Sequence, residues 1–359
     1  MRVGIVGMPN AGKSSLFNAL TRAGADVAGY PFTTVEPNVA VTPVRDERLD
    51  AVAETVGARP VVYETIFFHD IAGLVRGAHE GEGLGNQFLA QIRETDAIVH
   101  VVRAHDDPNV VHPEGRVDPA ADIETVETEL LYADLEQAER RLERVSRHAK
   151  SLDRTALAEE AWLRRVIEAL QAGRPAGAVD PPADAPDAVR LLQPLTAKPV
   201  LYAANVSEGE SEVPPEVAER AAGAEARAVA VSAKIESELA ELDDDEAAAM
   251  RQELGMPRSG LELVVSEAFA LLNLIQFFTA HQGSEARAHA VARGTTAWSG
   301  AGEIHTDMQR GFVRAEVVPW GELIDARGYA GARERGTLRL EGRDYQLRDG
   351  DVITFRFTP

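Results

Sequence analysis

The apolar residues of the chain fall into short, nearly unbroken runs that are separated by polar or glycine-rich turns and by helical patterns. The runs cover residues 2–6, 61–68, 96–104, 197–204 and 227–231. Short apolar runs without polar alternation are typical of strands that a parallel sheet buries on both faces. The pattern therefore predicts an α/β fold with a mostly parallel sheet.

Apolar positions repeat with helical spacing between residues 120 and 172. From Leu131 to Leu152 they are spaced alternately four and three residues apart, as in the seam of a coiled coil. A second helix, at 154–172, can return along this seam before glycines and prolines end it. We predict an inserted antiparallel helical arm over 126–195, an α/β domain comprising 1–125 and 196–275, and a separate mixed-β domain over 276–359.

Residues 7–14 join the first apolar run to a helix and fit the phosphate-loop pattern G-x-x-x-x-G-K-[ST]. Gly7 and Gly12 allow the backbone to curl so that its N–H groups point at a phosphate. The Lys13 ammonium can reach the β- and γ-phosphates, and the Ser14 hydroxyl can ligate Mg²⁺. The sequence therefore predicts a P-loop NTPase G domain. We expect the phosphates of the bound nucleotide to contact Asn10, Ala11, Gly12, Lys13, Ser14 and Ser15.

Two further segments carry residues suited to the metal and the γ-phosphate. The loop at 29–38 supplies Thr34, with Thr33 as the alternative, as a second hydroxyl ligand of Mg²⁺. Asp70 ends the run at 61–68 and suits the carboxylate that holds the metal through water. Gly73 offers a backbone N–H to the γ-phosphate, and Leu74 stands where many GTPases carry the glutamine that orients the attacking water.

Two turns that follow later strands match the base-reading loops of guanine-nucleotide enzymes, with departures. Asn205, Val206 and Glu208 replace the pattern N-K-x-D, and Ser232-Ala233-Lys234 matches S-A-K. Glu208 is one methylene longer than the aspartate that pairs with guanine, and Val206 replaces the lysine that stacks on the base. Because adenine lacks the two donors that this aspartate reads, the departures favour ATP.

Composition limits the classes of partner. The net charge of −21 argues against broad binding to DNA or other nucleic acid. Positive and negative charges nearly balance in 134–174 and 277–359, which are therefore the better candidates for contact with an RNA-containing partner. No apolar run reaches about 18 residues, so we expect no membrane span. The absence of cysteine and of room for a signal peptide is compatible with a cytoplasmic protein.

Taken together, the motifs resemble the Obg-like ATPases, the YchF subfamily of the translation-factor-related (TRAFAC) P-loop GTPases. The resemblance is carried by residues 7–14, 30–34, 70–75, 81–86 and 205–208, and in the tail by 276–279, 304–307, 311–316 and 348–351, which are similar to a TGS domain. It implies hydrolysis of ATP in preference to GTP, binding to ribosomes and an inserted coiled-coil arm. It also implies that His112 orients the water in place of the glutamine and that Asn10 helps to hold K⁺.

These observations lead to one main hypothesis and two alternatives. The main hypothesis is a monomeric, cytoplasmic Mg²⁺-dependent ATPase whose ATP or ADP state governs docking to the ribosome, as a regulator of translation or stress response. The first alternative is an Obg-type GTPase that acts in ribosome assembly. The second is a non-enzymatic regulator that binds RNA or ribosomes and uses the nucleotide only as a structural ligand.

Overall fold

The structure is a computed structural model that describes residues 1–25, 38–71, 84–107, 110–149, 153–256 and 258–358. Within these ranges the contacts divide the chain into two compact units. The first comprises 1–25, 38–41 and 67–268 with the gaps just named, and the second comprises 42–66 and 269–358. None of the helices in these ranges combines the length and apolar character that crossing a membrane requires.

Strands of the described residues form two six-stranded sheets. In chain order the strands are β1 (Arg2–Val6), β2 (Val39–Val44), β3 (Val61–Val62), β4 (Glu64–Asp70), β5 (Ala97–Arg103), β6 (Val200–Asn205), β7 (Arg227–Val231), β8 (Leu274–Ala280), β9 (Ala286–Ala292), β10 (Phe312–Pro319), β11 (Arg339–Glu341) and β12 (Asp351–Phe357).

The helices alternate with the strands in the first part of the chain and cluster in the middle. They are α1 (Lys13–Ala25), α2 (Glu47–Val56), α3 (Leu84–Arg93), α4 (Pro119–Ala149), α5 (Arg154–Gln171), α6 (Ala188–Leu192), α7 (Pro215–Gly223), α8 (Ala233–Leu239), α9 (Asp244–Glu253), α10 (Gly260–Leu271), α11 (Ala297–Ile304), α12 (Thr306–Arg310), α13 (Trp320–Asp325) and α14 (Tyr329–Glu334).

The first sheet has the strand order β2-β4-β1-β5-β6-β7, and the four pairs from β4 to β7 are parallel. All seven residues of β5 are buried, as its apolar sequence predicts for a central parallel strand. The strands β2 and β4 lie on one side of β1, and the later strands β5, β6 and β7 lie on the other. This reversal of strand order makes the edge at the carboxyl ends of β1 and β5 the expected ligand position. This edge carries the loops that follow β1, β5, β6 and β7.

The predicted arm is present as the antiparallel pair α4 and α5. Leu131, Leu135, Ala138, Leu142 and Val145 of α4 pack with apolar residues of α5, among them the fully buried Trp162. Leu152, the last member of the predicted seam, lies outside the described residues. The heptad spacing thus gave the correct partner helix.

A buried carboxylate fastens the base of the arm. Asp134 of α4 accepts hydrogen bonds from the backbone N–H groups of Leu195 and Thr196 and from the Thr196 hydroxyl, each at 2.8 Å. These residues lead directly into β6, so Asp134 joins the arm to the point where the chain re-enters the sheet.

The second sheet has the order β11-β10-β12-β8-β9-β3 and mixes antiparallel with parallel pairs. One apolar cluster covers each of its faces. The tail is therefore the mixed-β structure that its sequence predicts. In addition, this unit takes in residues 42–66, a stretch that the sequence prediction assigned to the α/β domain.

The prediction of one continuous strand over 61–68 is wrong. The structure divides it into β3 and β4, which belong to different sheets. Tyr63 lies between them, and its hydroxyl donates to Asp50 of α2 at 2.5 Å. A side chain that is tied to a helix at this point interrupts the regular strand geometry, which periodicity alone does not reveal.

Candidate functional site

The loop after β1 adopts a conformation that only its particular residues permit. Gly7 and Gly12 have φ values of 151° and 100°, which strongly favour glycine. A Cβ on Gly7 would overlap the Val101 carbonyl oxygen of β5, and one on Gly12 would overlap the Asn205 amide. Asn10 also has a positive φ, 61°, which asparagine tolerates better than most residues. The two glycines are therefore required by close approach as well as by backbone geometry.

The Lys13 ammonium is buried beneath this loop and donates to the Met8 carbonyl oxygen at 2.8 Å. Burial lowers the pKa of Lys13 to about 8, and the negative charge of Asp70 opposes this shift. Burial raises the pKa of Asp70, and Lys13 in turn opposes that change. The two groups therefore influence each other's charge, and an incoming phosphate would restore the full charge of Lys13.

Ser14 and Asp70 supply the oxygen donors that Mg²⁺ prefers. Ser14 is exposed in the first turn of α1, and Asp70 ends β4 and is half-buried. P-loop nucleoside triphosphatases generally use Mg²⁺ in this position. The donor set fits that ion, although Thr34, Thr33, Gly73 and Leu74 lie outside the described residues and their predicted positions are not part of this geometry.

Asn205 lies at the end of β6 and bridges two loops. Its amide nitrogen donates to the Ala11 carbonyl oxygen at 3.0 Å, and its amide oxygen accepts from the Ala233 backbone N–H at 3.1 Å. Asn205 is only 5% exposed. Its side chain therefore joins the phosphate loop to the start of α8.

Val206, Ser232 and Ala233 are also largely buried. Val206 packs in an apolar cluster with Val102 and Tyr202 and is 2% exposed, although it borders the cleft. The structure thus places most of Val206 beneath the cleft, because a residue that follows a buried strand here completes the core. Its predicted contact with the nucleotide stays a prediction.

Glu208 and Lys234 form an ion pair of 2.6 Å at the other end of the site, and both side chains are largely exposed. Hydrogen bonding to Glu208 raises the pKa of Lys234. Lys234 is one of four lysines in a chain with 33 arginines, a scarcity that could have drawn attention to it from sequence. The sequence analysis placed it in the S-A-K match but did not count it among the residues that contact the nucleotide.

One cleft of about 650 Å³ joins these parts. Its lining comprises Asn10, Gly12, Lys13, Ser14, Ser15, His105, Asp106, Asp107, Val110, Asn205, Val206, Ser207, Glu208, Ser232, Ala233 and Lys234. Of these lining residues, His105, Asp106, Asp107 and Val110 were not predicted as part of the site. No local motif marks them, because they come to the cleft through the sheet order that sets β5 beside β1 and β6.

His112 is not among the residues that line this cleft. It is 7% exposed, its Nε2 lies 2.9 Å from the Asp122 carboxylate, and the Glu114 backbone N–H donates to its Nδ1 at 3.1 Å. Both ring nitrogens are therefore engaged by the protein, and neither is available to hold a water in this arrangement. The role of His112 in orienting the water stays a prediction, and its contact with Asp122 is one that sequence spacing did not reveal.

Two family models match the chain. One, described as a 50S ribosome-binding GTPase, covers residues 2–141, and the other, a YchF GTPase C-terminal domain described as a protein of unknown function (DUF933), covers residues 274–358. The first range contains the phosphate loop, Asp70 and the beginning of the arm. The second coincides with the C-terminal part of the mixed sheet.

Relatives that match over nearly the whole chain show the family. The chain is 47% identical to the ribosome-binding ATPase YchF of Bacillus subtilis and 48% identical to that of Pasteurella multocida, in each case over 99% of both chains. The chain belongs to the YchF family. The solved structure of the Schizosaccharomyces pombe YchF GTPase matches with a TM-score of 0.87 and 32% identity, covering 99% of this chain and 97% of that one.

Membership in the YchF family confirms the resemblance that the motifs indicated and the predicted fold class, a P-loop α/β domain with a helical arm and a C-terminal mixed-β domain. It also confirms that the chain is a P-loop nucleoside triphosphatase. The roles of the individual site residues stay predictions, to which the geometry above gives physical content.

Proposed function

We propose that the chain is a Mg²⁺-dependent ATPase that binds ribosomes and whose nucleotide state governs this docking. The observation that carries the proposal is the cleft that joins a phosphate loop to a base-reading loop with Glu208 in place of aspartate. Its lining includes Lys13 and Ser14 of the phosphate loop as well as Glu208 and Lys234 of the two base-reading turns. The relatives from B. subtilis and P. multocida are both named ribosome-binding ATPase.

The base-reading end favours adenine for a physical reason. A guanine site needs a carboxylate free to accept from both the ring N1–H and the 2-amino group. The Glu208 carboxylate is already paired with Lys234 at 2.6 Å, and Val206 is buried instead of lying on the base. Adenine presents no N1–H, so its binding is weakened less than that of guanine when Lys234 occupies one carboxylate oxygen of Glu208.

The phosphate end supplies the means for phosphoryl transfer. Lys13 and the amides of the loop, with Gly73, would stabilise the negative charge that develops on the phosphates. Ser14 and Thr34, or Thr33 in its place, would ligate Mg²⁺, and Asp70 would hold a water of its shell. Bound Mg²⁺ would neutralise charge on the β- and γ-phosphates. Asn205, by holding Ala11 and Ala233 together, would keep the loop and the base pocket in register.

Asn10 and His112 would complete the site. The Asn10 amide nitrogen donates to the Val111 carbonyl oxygen at 3.0 Å, which anchors the side chain. Its amide oxygen makes no hydrogen bond within the part of the chain that the structure describes, so that atom suits a K⁺ ion. His112 would orient the attacking water once its ring has left Asp122.

We further infer the setting of this activity. The ribosome is the proposed partner because the relatives carry that name, and the arm and the tail are the segments with balanced charge. We keep the domain limits 1–125 with 196–275, 126–195 and 276–359 (the TGS domain) as proposals. A monomer in the cytoplasm that binds neither DNA nor a membrane is the corresponding expectation for localisation and assembly.

Turnover of ATP with Mg²⁺, measured with and without ribosomes, tests the proposal. We expect slow release of phosphate that ribosomes and K⁺ stimulate, and no turnover by Lys13→Ala, the control for contaminating ATPases. Turnover at the water background under every condition would overturn it and would favour a nucleotide-gated regulator without catalysis.

An Obg-type GTPase is the second candidate, because the matching family model and the S. pombe structure are both described as GTPases. The two candidates differ in the preferred nucleotide. Parallel binding measurements with ATP and GTP separate them, since the first candidate requires tighter binding of ATP.

A further inference from the structure

A buried hydrogen bond joins the loop that carries His112 to the first turn of the arm helix α4. The Asp122 carboxylate lies 2.9 Å from His112 Nε2, and both side chains are 5% exposed. The backbone N–H of Glu114 points at Nδ1, so Nδ1 accepts and carries no proton. The ring is therefore a neutral tautomer whose Nε2–H donates to Asp122.

The preceding part of the same loop is held at the cleft. The Asn10 amide donates to the Val111 carbonyl oxygen, and the buried Arg103 guanidinium donates to the carbonyl oxygens of His105 at 3.1 Å and Val110 at 3.0 Å. Val110 lines the cleft, and His112 lies only two residues further along. His112 is therefore near the cleft along the chain, and its ring must leave Asp122 before it can face the cleft.

We propose that Asp122 is a positioning residue that holds His112 away from the cleft, and that turnover requires this hydrogen bond to open. The inference rests on the proposed function, in which His112 orients the attacking water. Asp122 is not among the residues that line the cleft, so we expect its removal to change the rate of hydrolysis and not the affinity for ATP.

The location of Asp122 connects this hydrogen bond to the arm. Asp122 belongs to the first turn of α4, a helix of 31 residues that forms one side of the arm. A partner that shifts the first turn of α4 would move the Asp122 carboxylate away from His112 directly. Ribosome docking on the arm would thus release the histidine and stimulate hydrolysis without contacting the nucleotide.

The test compares Asp122→Ala, Asp122→Asn and, as a matched control on the exposed face of the same turn, Glu124→Gln. We expect Asp122→Ala to raise the ribosome-free kcat for ATP about tenfold, the change expected for losing one hydrogen bond to a charged group. KM for ATP should stay within about twofold of the parent value. Ribosome stimulation should shrink by the same factor, and Glu124→Gln should behave as the parent protein.

Asp122→Asn keeps an acceptor for Nε2–H but removes the charge, so we expect a rise in kcat of about two- to threefold. This variant decides the matter if Asp122→Ala fails to fold. Nitrogen NMR of the His112 ring gives an independent readout: we expect only the Nε2–H tautomer in the parent protein and a mixture of tautomers in Asp122→Ala. Unchanged or reduced kcat in folded Asp122 variants, or an unchanged His112 spectrum, would overturn the proposal.

A histidine variant separates this proposal from the proposed function. His112→Ala should abolish turnover, and His112→Ala combined with Asp122→Ala should show no gain over His112→Ala alone. If His112→Ala turned over at the parent rate, the catalytic role of His112 would be refuted. If instead His112→Ala were inactive and Asp122→Ala were no faster than the parent, only the role of Asp122 would fail.

Discussion

Truncation of Asn205 examines how the phosphate loop is held. The change Asn205→Ala removes one amide that donates to the Ala11 carbonyl oxygen at 3.0 Å and accepts from the Ala233 N–H at 3.1 Å. The site is 5% exposed, so both backbone groups would lose their partner where water has little access. Each of the two buried groups left unsatisfied costs about 1–3 kcal/mol, which predicts a loss of about 2–6 kcal/mol in unfolding free energy.

Asn205→Asp is the matched control, because it keeps an acceptor for the Ala233 N–H but cannot donate to Ala11. We expect a loss of stability in urea unfolding at least as large as that of Asn205→Ala, because the buried carboxylate would face the Ala11 carbonyl oxygen. Fluorescent-nucleotide titration should show that ATP and GTP lose affinity together in both variants, since the bridge supports the loop and not one base. An unchanged unfolding free energy, or an ATP-to-GTP affinity ratio altered by tenfold or more, would refute the reasoning.

Two further predictions follow from buried charged groups. Lys13 has a pKa of about 8 before nucleotide binds, and a bound phosphate raises it, so ATP affinity is full below pH 8 and declines above it. Titration calorimetry should show about tenfold weaker ATP binding at pH 9 than at pH 7, and Lys13→Met should remove the dependence. Asp134→Ala leaves three donors unpaired at the base of the arm and should cost about 3–5 kcal/mol in urea unfolding, whereas the exposed Asp184→Ala should cost almost nothing.

Local patterns in the sequence predicted much of this molecule. The phosphate loop is recognisable because its backbone takes positive φ values at Gly7 and Gly12, which place glycine at fixed spacing in the sequence. The heptad spacing from Leu131 onward correctly predicted the arm, since both helices of the arm follow each other directly in the chain. Strands of the parallel sheet were predicted from their apolar runs, because a strand that is buried on both faces needs apolar side chains at successive positions.

Features that depend on distant contacts were not predictable in this way. Asn205 could be recognised as a site residue, but its bridge to Ala11 and Ala233 depends on three loops meeting beyond the sheet. The partner of His112 is an aspartate on the next helix, and no periodic pattern relates the two. Tyr63 interrupts a run of strand-forming residues because it reaches Asp50, a contact that only the folded chain creates.

Direct competition between ATP and GTP for the cleft tests the central claim most closely. Displacement of one fluorescent nucleotide by each competitor, with Mg²⁺ and K⁺ present and with or without ribosomes, gives the two dissociation constants under identical conditions. The pairing of Glu208 with Lys234 predicts that ATP binds more tightly in both cases. A preference for GTP greater than about tenfold, or 1.4 kcal/mol, would contradict an ATPase and support the GTPase alternative.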